Sequence, residues 1–233
     1  MEKKLLLPTP ALSNKPMSRK MKKRLVILCG IVALLCTFIY MKNVYEMHLM
    51  KVYEIRDPRV ENEQSLLMTA EKYNLNKVAL VTVVPSAYRE LSKDFDRSIP
   101  EGLIFDNHGN YIEYKVTDKS CNAGLFGFIP ALAKNGNYKM TAKTTLNTEM
   151  GRLRDLSGGQ LPGTYLNPDA DYYILISWAA FTGRLNKDHV KAWENLARDN
   201  TKAKIQIIEV NMDAQDWWPQ QSKDSVLKMY AMK

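Results

Sequence analysis

The chain has 233 residues, is 45% hydrophobic and carries a formal charge of +8, which is enough apolar material for one globular domain plus accessory segments. The charge is not spread evenly: residues 1–24 hold eight Lys and Arg against Glu2 alone, so the remaining chain is close to neutral. No basic face is implied for the globular part, which excludes nucleic acid as the expected partner.

In chain order, residues 1–24 combine charge with Pro8, Pro10 and Pro16 and are expected to be a disordered basic tail. "LVILCGIVALLCTFIYM", residues 25–41, follows without a charge, the low end of a membrane-spanning helix. A basic region before an apolar core also opens a secretory signal, but no small-residue cleavage site follows. Leu28 before Cys29 and Leu35 before Cys36 argue against a lipoprotein signal. The segment therefore reads as an uncleaved, single-pass signal anchor in the cytoplasmic (inner) membrane. The positive-inside rule keeps the tail in the cytoplasm and sends residues 42–233 outside, a periplasmic side in a cell with two membranes.

Residues 42–75 read as a helical stalk, broken at "RDPR" because Asp57 precedes Pro58. Its second helix sets Leu66, Leu67, Ala70 and Tyr73 on one side. The expected domain is 76–213. "KVALVTVV" (77–84) is a strand apolar on both faces, and 86–95 a short helix with Ser86 as its cap. "GLIFDNHGNYIEYKV" (102–116) is a hairpin turning at Gly109, and 123–134 a helix kinked or started by Pro130. Residues 135–170, rich in Gly, Asn, Thr and Pro, are expected to be loop with at most a short hairpin. "YYILISW" (172–178) is a buried strand, 186–200 a helix with Val190, Trp193 and Ala197 in register, and 203–213 a third strand. This order predicts an α/β sheet with helices on both faces, followed by a C-terminal tail at 214–233.

The site residues come from one turn. "WAAFTGRLNK" resembles the active-site turn of thioredoxins, W-A-x-W-C-G-P-C-K, with Trp178, Ala179 and Gly183 matching and Phe181 as the aromatic. The strand before it and "VKAWENLARDNTKAKIQIIEVNMDAQDW" after it, with its V-N-x-D ending, are similar too. "RDLSGGQLPGTYLNPDADYY" resembles the lead-in of membrane-anchored thioredoxins. The resemblance covers about seventy residues and fails where the chemistry belongs: Thr182 and Leu185 stand at the two cysteine positions. It implies a thioredoxin-like fold without a dithiol couple, since a threonine hydroxyl forms no comparable anion near neutral pH. Thr182 reads as a helix N-cap; a nucleophilic threonine would need an adjacent base, and His189 lies two turns along the helix.

The resemblance also implies a hairpin after the V-N-x-D strand, opening with a cis-proline beside the turn. Residues 214–233 show no hairpin pattern, whereas "SIPEGLIFDNHGNYIEYKVT" with the helix after it matches the missing part and comes earlier. Pro100 would be the proline, giving a thioredoxin-like mixed sheet in permuted order; the alternative is two separate half-related units. The implied function is binding of a protein or peptide in a groove formed by Trp178, Phe181, Thr182, Gly183, Arg184 and Pro100. The alternative is a thiol-redox enzyme using Cys121, the single exported cysteine. An exposed thiol at a helix start near Pro100 favours the enzyme and burial favours the binder. His48, His108 and His189 show no metal-ligand spacing and no glycine loop suits a phosphate, so neither metal nor cofactor is expected. "DWWPQ" sets Trp217 and Trp218 either on the sheet edge or at a partner or membrane surface.

Overall fold

The computed structural model describes residues 19–117 and 120–231 and divides into two compact units, 1–49 and 50–233. The first holds most of helix α1 (Arg19–Val52). Residues 25–41 fall inside α1 and expose Leu28, Leu34 and Phe38. Among the described residues no helix is long and apolar enough to cross a membrane; the uncharged run stops short of the roughly 20 apolar residues a span commonly uses. The expected basic tail lies outside the described residues up to residue 18, and residues 19–24 belong to α1.

The second unit is mixed α/β. Its described strands are β1 (Leu80–Val83), β2 (Gly102–Asp106), β3 (Asn110–Ile112), β4 (Met140–Thr145), β5 (Leu153–Arg154), β6 (Tyr172–Trp178) and β7 (Ile205–Asn211). They form one sheet in the order β4-β3-β2-β6-β7-β1-β5. β6 and β7 are parallel, as are β7 and β1; the other pairs are antiparallel. β6 is buried along its whole length, which its apolar run requires: the sheet is covered on both faces.

Alternation sorts the side chains. Ile104, Ile174, Ile176 and Trp178 join Leu66, Leu125, Ile129 and Trp193 on one face, under helices α2 (Glu63–Tyr73), α4 (Leu125–Ala131) and α6 (Ala192–Arg198). Leu103, Phe105, Tyr173, Leu175 and Val210 join Leu91, Phe95, Leu146 and Val226 on the other, under α3 (Tyr88–Asp94), α5 (Leu146–Arg152) and α7 (Gln220–Tyr230). Glu209 is fully buried in mid-β7. Burial first, and then the facing Glu194 carboxyl, hold its carboxyl well above the usual range.

Several expectations need correction. Residues 53–75 are no stalk: Leu66 and Ala70 are fully buried in the sheet core, and Asn62 and Ser65 cap α2 reciprocally. Ser86 caps nothing; Ala87 holds that position without a side-chain bond. Residues 135–170 contain β4, α5 and β5, whose polar sequences hide them because β4 is a half-exposed edge. The helix at 186–200 opens with a π-helical turn, Asn186–Lys191, before α6. The C-terminal segment is no loose tail, since α7 buries Val226 and Trp218 is 2% exposed.

The hairpin β2–β3 and the β6–β7 unit share both cores, Phe105 pairing with Tyr173 and Gly102 with Ile176. Phe105→Ala and Ile176→Ala should each cost about 2–5 kcal/mol. Each should also lower a single transition of the whole unit, monitored by tryptophan fluorescence and far-ultraviolet dichroism. Two separate transitions would show independent halves.

Candidate functional site

β6 ends at Trp178, fully buried, and the chain turns through Ala179, the short helical turn Ala180–Thr182 and Gly183 at φ 59°. A Cβ on Gly183 would lie 2.2 Å from the Tyr53 carbonyl oxygen and 2.4 Å from that of Glu54, so only glycine fits. Residues 53–56 therefore lie directly over the turn. The Arg184 N–H donates to the Tyr53 oxygen at 2.6 Å, and the Arg56 N–H donates to the Phe181 oxygen at 3.0 Å. The Lys72 ammonium and the Tyr73 hydroxyl of α2 both reach the Glu54 carboxylate, tying the segment down from its other side.

Thr182 does not cap the following helix. Its hydroxyl turns back and donates to the Ala179 oxygen at 2.8 Å, with the Asn186 amide oxygen 3.0 Å away. The buried Asn186 donates to the same Ala179 oxygen at 2.8 Å. The hydroxyl is thus held by a carbonyl and an amide. His189 packs instead on Phe126 and Trp193, at 5.7 and 5.5 Å between ring centres, and burial holds its imidazole below the usual range. His48 is exposed on α1, and His108 sits in the β2–β3 turn, its N–H donating to Asp106. Among the described residues no group of three or more His, Cys, Asp or Glu is arranged to hold a metal.

Pro100 is brought to the same end of β6. The Ser177 N–H donates to the Glu101 oxygen and the Glu101 N–H to the Ser177 hydroxyl, both at 2.8 Å, so Pro100 is next in line beside Trp178. The Ile99–Pro100 peptide is cis. Of the six expected groove residues, Trp178, Phe181, Thr182, Gly183 and Pro100 are buried and Arg184 alone is exposed. Phe181 is roofed by Tyr230 of α7, with ring centres 5.2 Å apart. Cys121 is exposed and sits at the start of the short helical turn Asn122–Gly124 that leads into α4. Its neighbour Asn122 donates to the Pro100 carbonyl at 2.6 Å.

One residue the sequence reading did not single out organises the turn. Asp213, the last residue of the V-N-x-D stretch, is 1% exposed. Its Oδ2 accepts from the Ala180 N–H at 2.6 Å and from the Asn211 amide at 2.8 Å, while Oδ1 has no hydrogen-bond partner among the described residues. Loss of hydration outweighs these bonds and raises its carboxyl to about 7; Glu61 adds to the rise and Arg56 opposes it. The available signal was a carboxylate placed immediately after an apolar strand, where burial demands a partner. Comparison with family models, with characterised proteins and with solved structures finds no match to this chain.

Asp213 gives a pH test with a fixed sign. Its folded value lies above the ordinary 3.8, so its contribution to stability is complete below about pH 4 and is lost as the pH rises toward 7. The loss amounts to at most about 4 kcal/mol. Asp213→Asn should flatten this part of the stability–pH curve measured by denaturant titration, and Glu209, present in both proteins, cancels in the difference. An unchanged slope would mean that Asp213 is ionised in the folded protein throughout.

Proposed function

We propose that the chain is a membrane-anchored, extracytoplasmic, thioredoxin-like binding or accessory protein without dithiol redox activity, its sheet assembled in permuted order. The observation that carries the reading is the turn after β6. It has the resemblance's order of strand, turn and helix, but a buried, carbonyl-bonded hydroxyl where the reactive sulfur belongs. The hairpin that precedes the turn in sequence lies beside β6 in the sheet, with Pro100 at the end next to the turn. Without two thiols no disulfide exchange cycle closes. What is left is backbone recognition: the Arg184 N–H and the Phe181 oxygen pair with a crossing chain, and here that chain is the bend at residues 53–56. A partner peptide gains this seat by replacing the segment, with Arg184 as its exposed first contact.

Anchoring is supported by the eight basic residues of 1–24 before an uncharged run of 17 residues that lies within a 34-residue helix. A reporter enzyme fused after Lys233 should be active outside the cytoplasm, and the full-length chain should stay with the membrane fraction. A soluble product beginning near residue 42 would make the segment a cleaved signal.

A second reading rests on Cys121. Its exposure, its place at a helix start and the bond from Asn122 to Pro100 are the features a thiol-redox role requires. The two readings separate in one assay. The full chain in detergent should leave the reduction of a protein disulfide by a small dithiol at its background rate. It should also retain from solubilised membranes a partner that Arg184→Glu releases. Turnover above background that disappears in Cys121→Ser would replace the binder with the enzyme.

A further inference from the structure

The tryptophan pair of "DWWPQ" is split by the fold. Trp218 is 2% exposed and packs edge-on against Tyr88, with ring centres 5.5 Å apart. Trp217 stays half-buried and forms one wall of an open groove of about 610 Å³. The opposite wall is α2, presenting Leu67 and Met68, the latter 64% exposed; Leu156 lies between. Gly158, at φ 90°, lies under the Trp217 ring, where a Cβ would stand 2.9 Å from it, so the indole is seated on backbone. Its Nε1 is shielded from solvent and has no acceptor.

The walls are brought together by the isolated bridge between Glu61 and Gln215, with the Asp216 N–H donating to the Glu61 oxygen at 2.9 Å. The charge of the groove is of one sign. Glu63, Glu71 and Asp216 line it and, among the described residues, no Lys or Arg does; Lys77 reaches Glu71 from outside the groove at 3.0 Å. In a folded part that is close to neutral, this acidic, apolar-floored strip is a local excess of one sign.

We infer that the groove between α2 and Trp217 is a docking surface for a basic amphipathic protein segment, whose apolar side chains pack on Trp217, Met68 and Leu67 while its Lys or Arg side chains meet Glu63, Glu71 and Asp216. An indole on a firm base with an apolar neighbourhood is the kind of side chain that dominates binding energy. The carboxylates on the rim choose the sign of the partner and speed its approach. An anionic membrane surface would be repelled by the same three groups. The surface is separate from the turn after β6 and does not depend on the resemblance that describes it.

The test uses the full chain in a neutral detergent, detergent alone as blank, and two labelled synthetic helical peptides, one of leucine and lysine and one of leucine and glutamate. Fluorescence anisotropy should show saturable binding of the lysine peptide and at least about tenfold weaker binding of the glutamate peptide. Trp217→Ala should weaken the lysine peptide about tenfold or more and Trp217→Phe should restore most of it. The exposed pair Glu63→Gln with Asp216→Asn should weaken binding and flatten its dependence on salt, whatever Trp217→Ala does to folding. Arg184→Glu should leave binding unchanged, which separates this surface from the turn. Equal binding of both peptides, binding untouched by the charge-neutralised pair, or binding of phosphatidylglycerol mixed into the detergent micelles in place of peptide would each overturn the inference.

Discussion

Gly183 meets the carbonyl oxygens of Tyr53 and Glu54 so closely that no side chain fits between them. That approach lets the Arg184 N–H and the Phe181 oxygen find partners in residues 53–56, at the carboxyl end of the longest fully buried strand. Without it, backbone groups of a buried turn would lack hydrogen bonds, a cost of about 1–3 kcal/mol each. The same segment continues to Glu61, which accepts from Arg56 and Arg59 at 2.7 Å and bridges to Gln215. One crossing of the chain thus closes the turn after β6 and sets the opposite walls of the groove at Trp217.

The turn is held from below by a different kind of contact. Asp213 accepts from the Ala180 N–H inside a site that has lost its water, so its negative charge is costly and its bonds are only partial compensation. The Met212 N–H donates to the Trp178 oxygen at 2.8 Å, which bonds the end of β7 to the start of the turn. Thr182, Asn186 and the Ala179 oxygen form a small closed set of hydrogen bonds between them. Such an arrangement holds the buried turn in one geometry, and it explains why a hydroxyl at this place serves structure. Cys121, whose neighbour Asn122 is bonded to the Pro100 carbonyl, is exposed.

Long apolar runs made the centre of the fold legible in the sequence. "YYILISW" is β6 to the residue, and the hairpin at 102–116 turns where Gly109 takes φ 81°. The pairing of β2 with β6 was expected only through the resemblance, because register between distant strands leaves no local trace. Three parts were not legible. β4, MTAKTT, sits at the sheet edge, where burial imposes no apolar pattern, and α5 is a seven-residue helix whose buried positions are only Leu146 and Glu149. The bend at residues 53–56 depends on Glu54 at φ 57° and on contacts more than a hundred residues away. That bend covers Gly183 while Tyr230 roofs Phe181, so a site that reads as an open groove in sequence is a closed one in space.

Amide hydrogen exchange of the full chain tests the closed turn most directly. The N–H groups of Arg56 and Arg184 lie outside regular strands, and free loops exchange at nearly the unstructured rate. The account predicts that both are slowed about a thousandfold or more, to the level of neighbouring amides in β6 and β7, and that both are released together in Gly183→Val. Exchange of Arg56 and Arg184 at the free-loop rate, with β6 and β7 still protected, would contradict it.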